Sequence, residues 1–287
     1  MLNKKTFQAA FIKNKDKPLT ECRVNMSNTL ARAAHGLNLS EKRIIAMGLV
    51  KTDQVPSKAL FLAQNQGWKI KLSATEYAEE FGLTHDTAYN QLKSASEKLW
   101  NRYIRYIVQT RRGPKEAKFR WISGVTYHHG EGWVELNFTP EVAPHLLALR
   151  KQFTSHKLKH ACAFDSIYAW RLYECLKSWQ DTGKYTPDIE TFHEAMEAPP
   201  SCRQNFKALR IRVIEPAVSA IIEKSDLLVQ WKPVKAGRKV IGLEFHFQPN
   251  PQINLPLETP ESSSVKRATL SAARLTHSPS RVSAMQP

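Results

Sequence analysis

Acid is scarce in this chain. Only 26 aspartates and glutamates stand against 42 lysines and arginines in 287 residues, a formal charge of +16. A surface so positive attracts polyanions and meets them quickly, so nucleic acid is the first partner to consider and an anionic membrane the second. Long apolar runs are missing as well. No stretch approaches the roughly 20 apolar residues that span a bilayer, so the membrane reading has no support. The opening MLNKKTFQAAFIKNKDK has charge but no long apolar core and no small-residue cleavage site, and no signal peptide is expected. Cysteine is limited to Cys22, Cys162, Cys175 and Cys202. None lies in a C-x-x-C pair or at zinc-ligand spacing with histidine, so they read as reduced core cysteines of a cytoplasmic protein.

Enzyme signatures are absent too. G-x-x-x-x-G-K-[ST], G-x-G-x-x-G and H-E-x-x-H do not occur. His128 and His129 are adjacent, which on a strand points them to opposite faces and rules out a shared metal. Tyr168 and Tyr173 fall at helical spacing among apolar residues and read as core rather than as nicking nucleophiles. No catalytic residue, metal or cofactor is expected.

What is present is a helix and a hairpin, both cationic. In SCRQNFKALRIRVIEPAVSAIIEKS, Phe206, Leu209, Val213, Ala217 and Ala220 recur at three- and four-residue steps and share one face. Arg203, Lys207 and Arg210 recur at the same steps about a quarter turn away, and Arg212 adds charge on another flank. Pro216 removes a backbone donor and is expected to kink or end the helix near Glu215. Leu227, Val229 and Trp231 then alternate, residues 235–239 turn, and Val240 to Phe247 return as a second strand. Lys235, Arg238 and Lys239 sit at the tip. A half-buried helix with a cationic flank, followed by a basic hairpin, is the layout of a winged-helix DNA reader: helix in the major groove, wing on phosphate.

The first half repeats the order. A short helix near residues 30–37 precedes one that Ser40 is expected to cap. Residues 68–72 alternate as a strand. Ser73 and Glu76 form a capping box, Gly82 ends a helix, and Thr84 caps a longer one with Ala88, Leu92, Ala95 and Leu99 inward. That helix offers His85, Tyr89, Asn90 and Lys93 outward. YIRYIVQT, the turn RRGPKEAK and the return FRWISGVTY read as a hairpin whose wing carries Arg111, Arg112, Lys115 and Lys118. Residues 133–138 add a third strand, and Thr139-Pro140-Glu141 starts a helix over 142–153. Residues 166–180 form an amphipathic helix. Thr186-Pro187-Asp188 opens another.

The fold class is therefore α+β: two tandem winged helices with a disordered, basic, Pro/Ser-rich C-terminal tail. The expected division is a mobile basic arm (1–22), a first winged helix (23–150), a second (151–249) carrying the main sequence-specific contacts, and the tail (250–287).

Four stretches resemble the initiator Rep proteins of iteron-controlled bacterial plasmids: SNTLARAAHGLNLSEKRIIAMGLV, ATEYAEEFGLTHDTAYNQLKSASEKL, FDSIYAWRLYECLKSW and RVIEPAVSAI with KAGRKVIGLEFHF. The third matches the pattern S-x-Y-A-x-R-L-Y-E-x-L through Ser166, Tyr168, Ala169, Arg171, Leu172, Tyr173, Glu174 and Leu176. The resemblance implies binding of tandem origin repeats in double-stranded DNA as a monomer and repression of its own gene at an inverted repeat as a dimer joined through the first domain. It also implies a host replication initiator, helicase and chaperones as partners, without nucleotide hydrolysis by this chain. It places Arg203, Lys207, Arg210 and Arg212 on the second recognition helix. A transcriptional repressor with no origin role is the alternative; a tyrosine nicking enzyme is a more distant one.

Overall fold

β1 (Arg23–Ser27) runs antiparallel to β7 (Phe153–Lys157), with Arg23 opposite Lys157 and Ser27 opposite Phe153. This pairing overturns part of the expected helix over 142–153. The described helical piece is α5 (Ala143–Leu146), Phe153 already lies in a strand, and residues 147–152 lie outside the described residues. The strand's partner sits about 130 residues earlier in the chain, beyond the reach of any local pattern. The computed structural model describes residues 21–32, 36–53, 67–146 and 153–251. Nearly all of the expected arm, the loop around Pro56 and the tail beyond residue 251 lie outside them.

α1 (Asn28–Arg32) and α2 (Leu39–Asp53) follow β1. The cap of α2 is Asn38 rather than Ser40. Asn38 Oδ1 accepts from the Glu41 N–H at 2.9 Å, and the Glu41 carboxylate accepts from the Asn38 N–H at 3.0 Å. That reciprocal pair satisfies two helix-terminal donors at once. β2 (Trp68–Ser73), α3 (Ala74–Phe81) and α4 (His85–Trp100) then build the helix-turn-helix. The Ser73–Glu76 capping box is present, Gly82 adopts φ 61° to end α3, and Thr84 accepts from the Thr87 N–H at the start of α4. Ala88, Leu92, Ala95 and Leu99 are all buried, as their spacing predicts.

β5 (Ile122–His128) and β6 (Trp133–Phe138) join β2 in an antiparallel sheet of order β2-β6-β5. β3 (Tyr103–Thr110) and β4 (Gly113–Arg120) stay out of it and pair with each other as a separate ribbon. The expected continuous return strand breaks at Trp121. Its indole is buried; its backbone N–H donates to the Arg102 carbonyl, and its backbone carbonyl accepts from the Thr139 N–H. The chain thus changes sheets around one buried tryptophan.

The second half comprises α6 (Leu158–Cys162), α7 (Ile167–Lys177), β8 (Lys184–Tyr185), α8 (Ile189–Met196) and α9 (Pro200–Arg203). Then come α10 (Phe206–Leu209), a π turn (Arg210–Ile214), α11 (Glu215–Lys224), β9 (Leu227–Ala236) and β10 (Lys239–Pro249). α8 is capped by Asp188, which accepts from the Thr191 N–H at 2.8 Å, and not by Thr186. The sheet order is β8-β10-β9. Each half thus carries a leading helix, a short strand, two helices and a terminal strand pair, the expected tandem of winged helices.

α7 joins the halves, and its side chains explain the S-x-Y-A-x-R-L-Y-E-x-L pattern. Ser166 caps it, accepting from the Tyr168 N–H at 3.2 Å. The buried Arg171 pairs with Glu197 and donates to the carbonyl of Leu37 at 3.4 Å. Glu197 also accepts from the Gly36 N–H, and it holds φ 48°, an unfavourable region for a residue with a Cβ. Tyr173 donates to Asp226 at 2.8 Å. Glu174 accepts from the Trp170 indole and pairs with Lys42 of α2. The motif is therefore a structural hub.

Candidate nucleic-acid interface

The second half presents its cations on a helix with an unusual turn. Leu209, Val213, Ala217 and Ile221 are spaced strictly by four and are all buried. On a regular α-helix such a row drifts by roughly 40° per step. The π turn corrects the drift by taking in an extra residue: the Glu215 N–H reaches the Arg210 carbonyl, five residues back. Pro216 favours this, having no N–H for the Arg212 carbonyl and a ring that crowds it. The helix neither ends nor breaks at the proline. It widens before it, and Pro216 occupies the first turn of α11.

Lys207, Arg210, Ile211, Arg212 and Glu215 face solvent opposite the buried row. Asn205 caps the helix, accepting from the Ala208 N–H at 3.2 Å. Arg203 is therefore not on this helix, contrary to expectation. It lies on α9, one turn earlier, and is committed to the protein. Nη1 donates to Glu194 at 2.8 Å, Nε to the Ala198 carbonyl at 2.8 Å, and Nη2 to the His193 carbonyl at 3.4 Å. Arg210 stands 3.4 Å from Glu215, both about half exposed. Lys207 and Arg212 have no ion pair among the described residues.

The wing is the β9–β10 turn, where Gly237 takes φ 61°. Lys235, Arg238 and Lys239 are exposed around it and form no ion pair among the described residues. Lys232, lower on β9, is engaged by Glu244, which His246 and Lys184 also approach, at 2.6 and 3.0 Å. Those hydrogen bonds, His246 first, hold the Glu244 carboxyl down to about 2. A groove of about 720 Å³ lies between the helix, the wing and α8–α9, with Arg210, Lys235, Arg238 and Lys239 on its walls beside Arg203, Glu190 and Glu215.

The first half differs from expectation in its wing. Arg111, Arg112, Lys115 and Lys118 are exposed, but on the separate β3–β4 ribbon. The Lys118 ammonium stands 3.7 Å above the Tyr103 ring, and at the ribbon's base Arg105 lies 3.8 Å from Glu194 of α8. The tight turn of the three-stranded sheet itself is His129-Gly130-Glu131-Gly132, between His128 and its partner Trp133. On α4, His85 and Asn90 are exposed and Lys93 is half-buried. Tyr89 is tied to that turn, its hydroxyl 2.8 Å from His129 Nδ1. His128 stacks on Trp133 with ring centres 5.1 Å apart, and its Nδ1 accepts from the Glu131 N–H at 3.0 Å. Gly132, at φ 65°, lies close enough to His85 that a side chain there would press on the imidazole. Sequence reasoning missed His129 as part of this face. The available signal was the pair of glycines flanking Glu131 between two alternating runs, a hairpin mark.

Tyr168 and Tyr173 both lie on α7, as their helical spacing predicts. Burial, then Asp226, pushes the Tyr173 phenol far above its ordinary range, and the ring is buried. Tyr168 is half-buried against the core.

Known proteins share this order of two domains. The model of the initiator replication protein WH1 domain matches residues 23–177, and that of the initiator Rep protein WH2 domain matches residues 188–247. An uncharacterised 27.6 kDa protein of Escherichia coli is 23% identical over 231 residues, 77% of this chain and 93% of that protein. The PI protein of Escherichia coli is 23% identical over 256 residues, 78% of this chain and 81% of its own. The crystal structure of the Pi initiator protein in complex with iteron DNA superposes with a TM-score of 0.65 at 20% identity, covering 81% of this chain and 99% of that one, a likeness of fold. With both domain models matched in order across most of the described residues, this chain belongs to the family of initiator replication proteins.

Proposed function

We propose that the chain starts plasmid replication by binding tandem origin repeats in duplex DNA through both winged helices, and that it performs no covalent step itself. The observation that carries this reading is the pairing of a solvent-facing helix, with Lys207, Arg210 and Arg212 outward, and a wing whose Lys235, Arg238 and Lys239 lack counter-charges among the described residues. Cations left without carboxylates are available to phosphate, where they set affinity; a few side chains on the helix set sequence choice. The Pi initiator, similar in fold, is known bound to iteron DNA. In the first half, α4 with His85, Asn90 and Lys93, and the ribbon cations Arg111, Arg112, Lys115 and Lys118, supply a second and more positional set of contacts.

The proposed division takes residues 23–150, with β7 paired onto β1, as the first winged helix and dimerisation domain, and the rest of 151–249 as the second. As a dimer the chain represses its own gene at an inverted repeat. Origin opening and helicase recruitment follow from binding, through the host initiator, helicase and chaperones. A circle bearing the origin is expected to replicate only in cells supplied with this gene. Repression of the promoter without such replication would make the protein a repressor alone.

A further inference from the structure

Ile211 is 48% exposed, more than any other large apolar side chain among the described residues. It lies in the π turn, between Arg210 and Arg212 and one turn beyond Lys207, in the middle of the cationic arc. A single exposed isoleucine is ordinary by itself, but its place amid three cations on one helix face gives a partner that covers it an apolar contact to gain. The cations around it fix the partner's chemistry as polyanionic. In the major groove of duplex DNA the apolar feature on offer is the 5-methyl group of thymine, while the other groups are hydrogen-bond donors and acceptors.

We propose that Ile211 is a specificity-determining contact that packs against a thymine 5-methyl group while Lys207 and Arg212 hold the flanking phosphates. The extra residue of the π turn serves this contact. It keeps the four-spaced apolar row buried while leaving residues 210, 211 and 212 all outward. The Arg210–Glu215 pair, bridging the same turn, holds one side of the patch in place. This inference rests on the reading above, that the helix of residues 206–224 lies in the major groove.

The test is a chemical double-mutant cycle. The full chain selects a tight duplex from a randomised pool, and each thymine of that duplex is then replaced in turn by deoxyuridine, which removes only the methyl group. At one thymine, or two adjacent ones, the replacement is expected to weaken the wild-type protein by roughly three- to tenfold. Ile211→Ala is expected to bind the thymine and uracil duplexes equally, at the wild-type level for uracil. If Ile211→Ala retains the full penalty at every deoxyuridine, so that the two changes are additive, the inference is wrong. A change of oligomeric state in Ile211→Ala with no methyl dependence would assign the residue to self-association and also overturn it. Arg210→Ala separates the two levels. If that variant loses affinity while the cycle stays additive, the groove reading stands and the thymine contact falls. If no duplex is selected, or Arg210→Ala binds as wild type, the groove reading falls as well.

Discussion

The Lys42 ammonium, on α2 of the first winged helix, lies 2.6 Å from the Glu174 carboxylate on α7, and both side chains are almost wholly buried, at 3% and 1% exposure. The indole of Trp170 donates to the other Glu174 oxygen at 2.9 Å. Two charges taken from water together are tolerable; one left behind is not. Lys42→Met is therefore expected to lower unfolding free energy by about 3–5 kcal/mol, whereas Lys42→Met with Glu174→Leu recovers much of the loss. Urea unfolding of the two variants checks this. Equal losses in the single and double variants would show that the pair matters only through its volume.

His156 gives the acid side of the stability curve. Its ring is fully buried edge-on against Tyr173, centres 5.3 Å apart, and neither nitrogen has a hydrogen-bond partner among the described residues. Burial, helped by the charges of Lys177 and Lys42, lowers its pKa from 6.5 to about 3. The folded chain keeps the ring neutral while the unfolded chain takes up a proton below about pH 6.5. Its contribution is thus full above that pH and declines as pH falls towards 3, by about 1.4 kcal/mol per pH unit. His156→Phe is expected to flatten the curve between pH 6.5 and 5 by roughly 2 kcal/mol, measured as urea midpoints across that range. His160 and His193, also lowered by burial, leave a residual slope in the same direction.

Arg203 and Arg210 separate structure from recognition. Arg203 is held by Glu194 and two backbone carbonyls. Arg203→Ala is expected to reduce stability by about 1 kcal/mol and to leave the ranking of DNA sequences unchanged. Arg210→Ala is expected to relax one base position by about 1–3 kcal/mol with little change in melting temperature. Binding to a panel of single-base variants, alongside thermal unfolding, distinguishes the two.

The wing cations make a salt prediction. Lys235→Ala and Lys239→Ala are each expected to weaken binding to all duplexes alike. If each loses one phosphate, each reduces the log–log salt slope by about 0.9. Titrations at several salt concentrations measure that slope. A loss confined to particular base sequences would instead put the wing on base edges.

Helices whose ends are written in local chemistry were legible from the chain. The Ser73–Glu76 box, Thr84 and Gly82 bound α3 and α4 where their residue types require. What was not legible depended on residues far apart in sequence. β7 is a strand because β1 pairs with it, and β3–β4 is a separate ribbon because the chain leaves it at the buried Trp121 before entering the three-stranded sheet. Around the start of the helix of residues 206–224, the basic residues Arg203, Lys207 and Arg210 keep helical spacing, so no periodicity separates Arg203 from Lys207. Only Asn205, acting as a cap inside an apparently helical run, divides them. Pro216 is expected to kink or end the helix near Glu215, but the helix runs on through a wider turn before it, which depends on the buried partners of the four-spaced row. The ribbon cations were visible by type, and their place outside the sheet was not.

The central claim is that two winged helices of one chain grip successive faces of a duplex without breaking it. Hydroxyl-radical footprinting of the full chain on its selected duplex, run beside a denaturing gel of the untreated complex, tests this most directly. Two protected patches per repeat, about one helical turn apart, with both strands intact and no protein left attached, are the expected result. A single protected patch, or a strand carrying covalently bound protein, would contradict it.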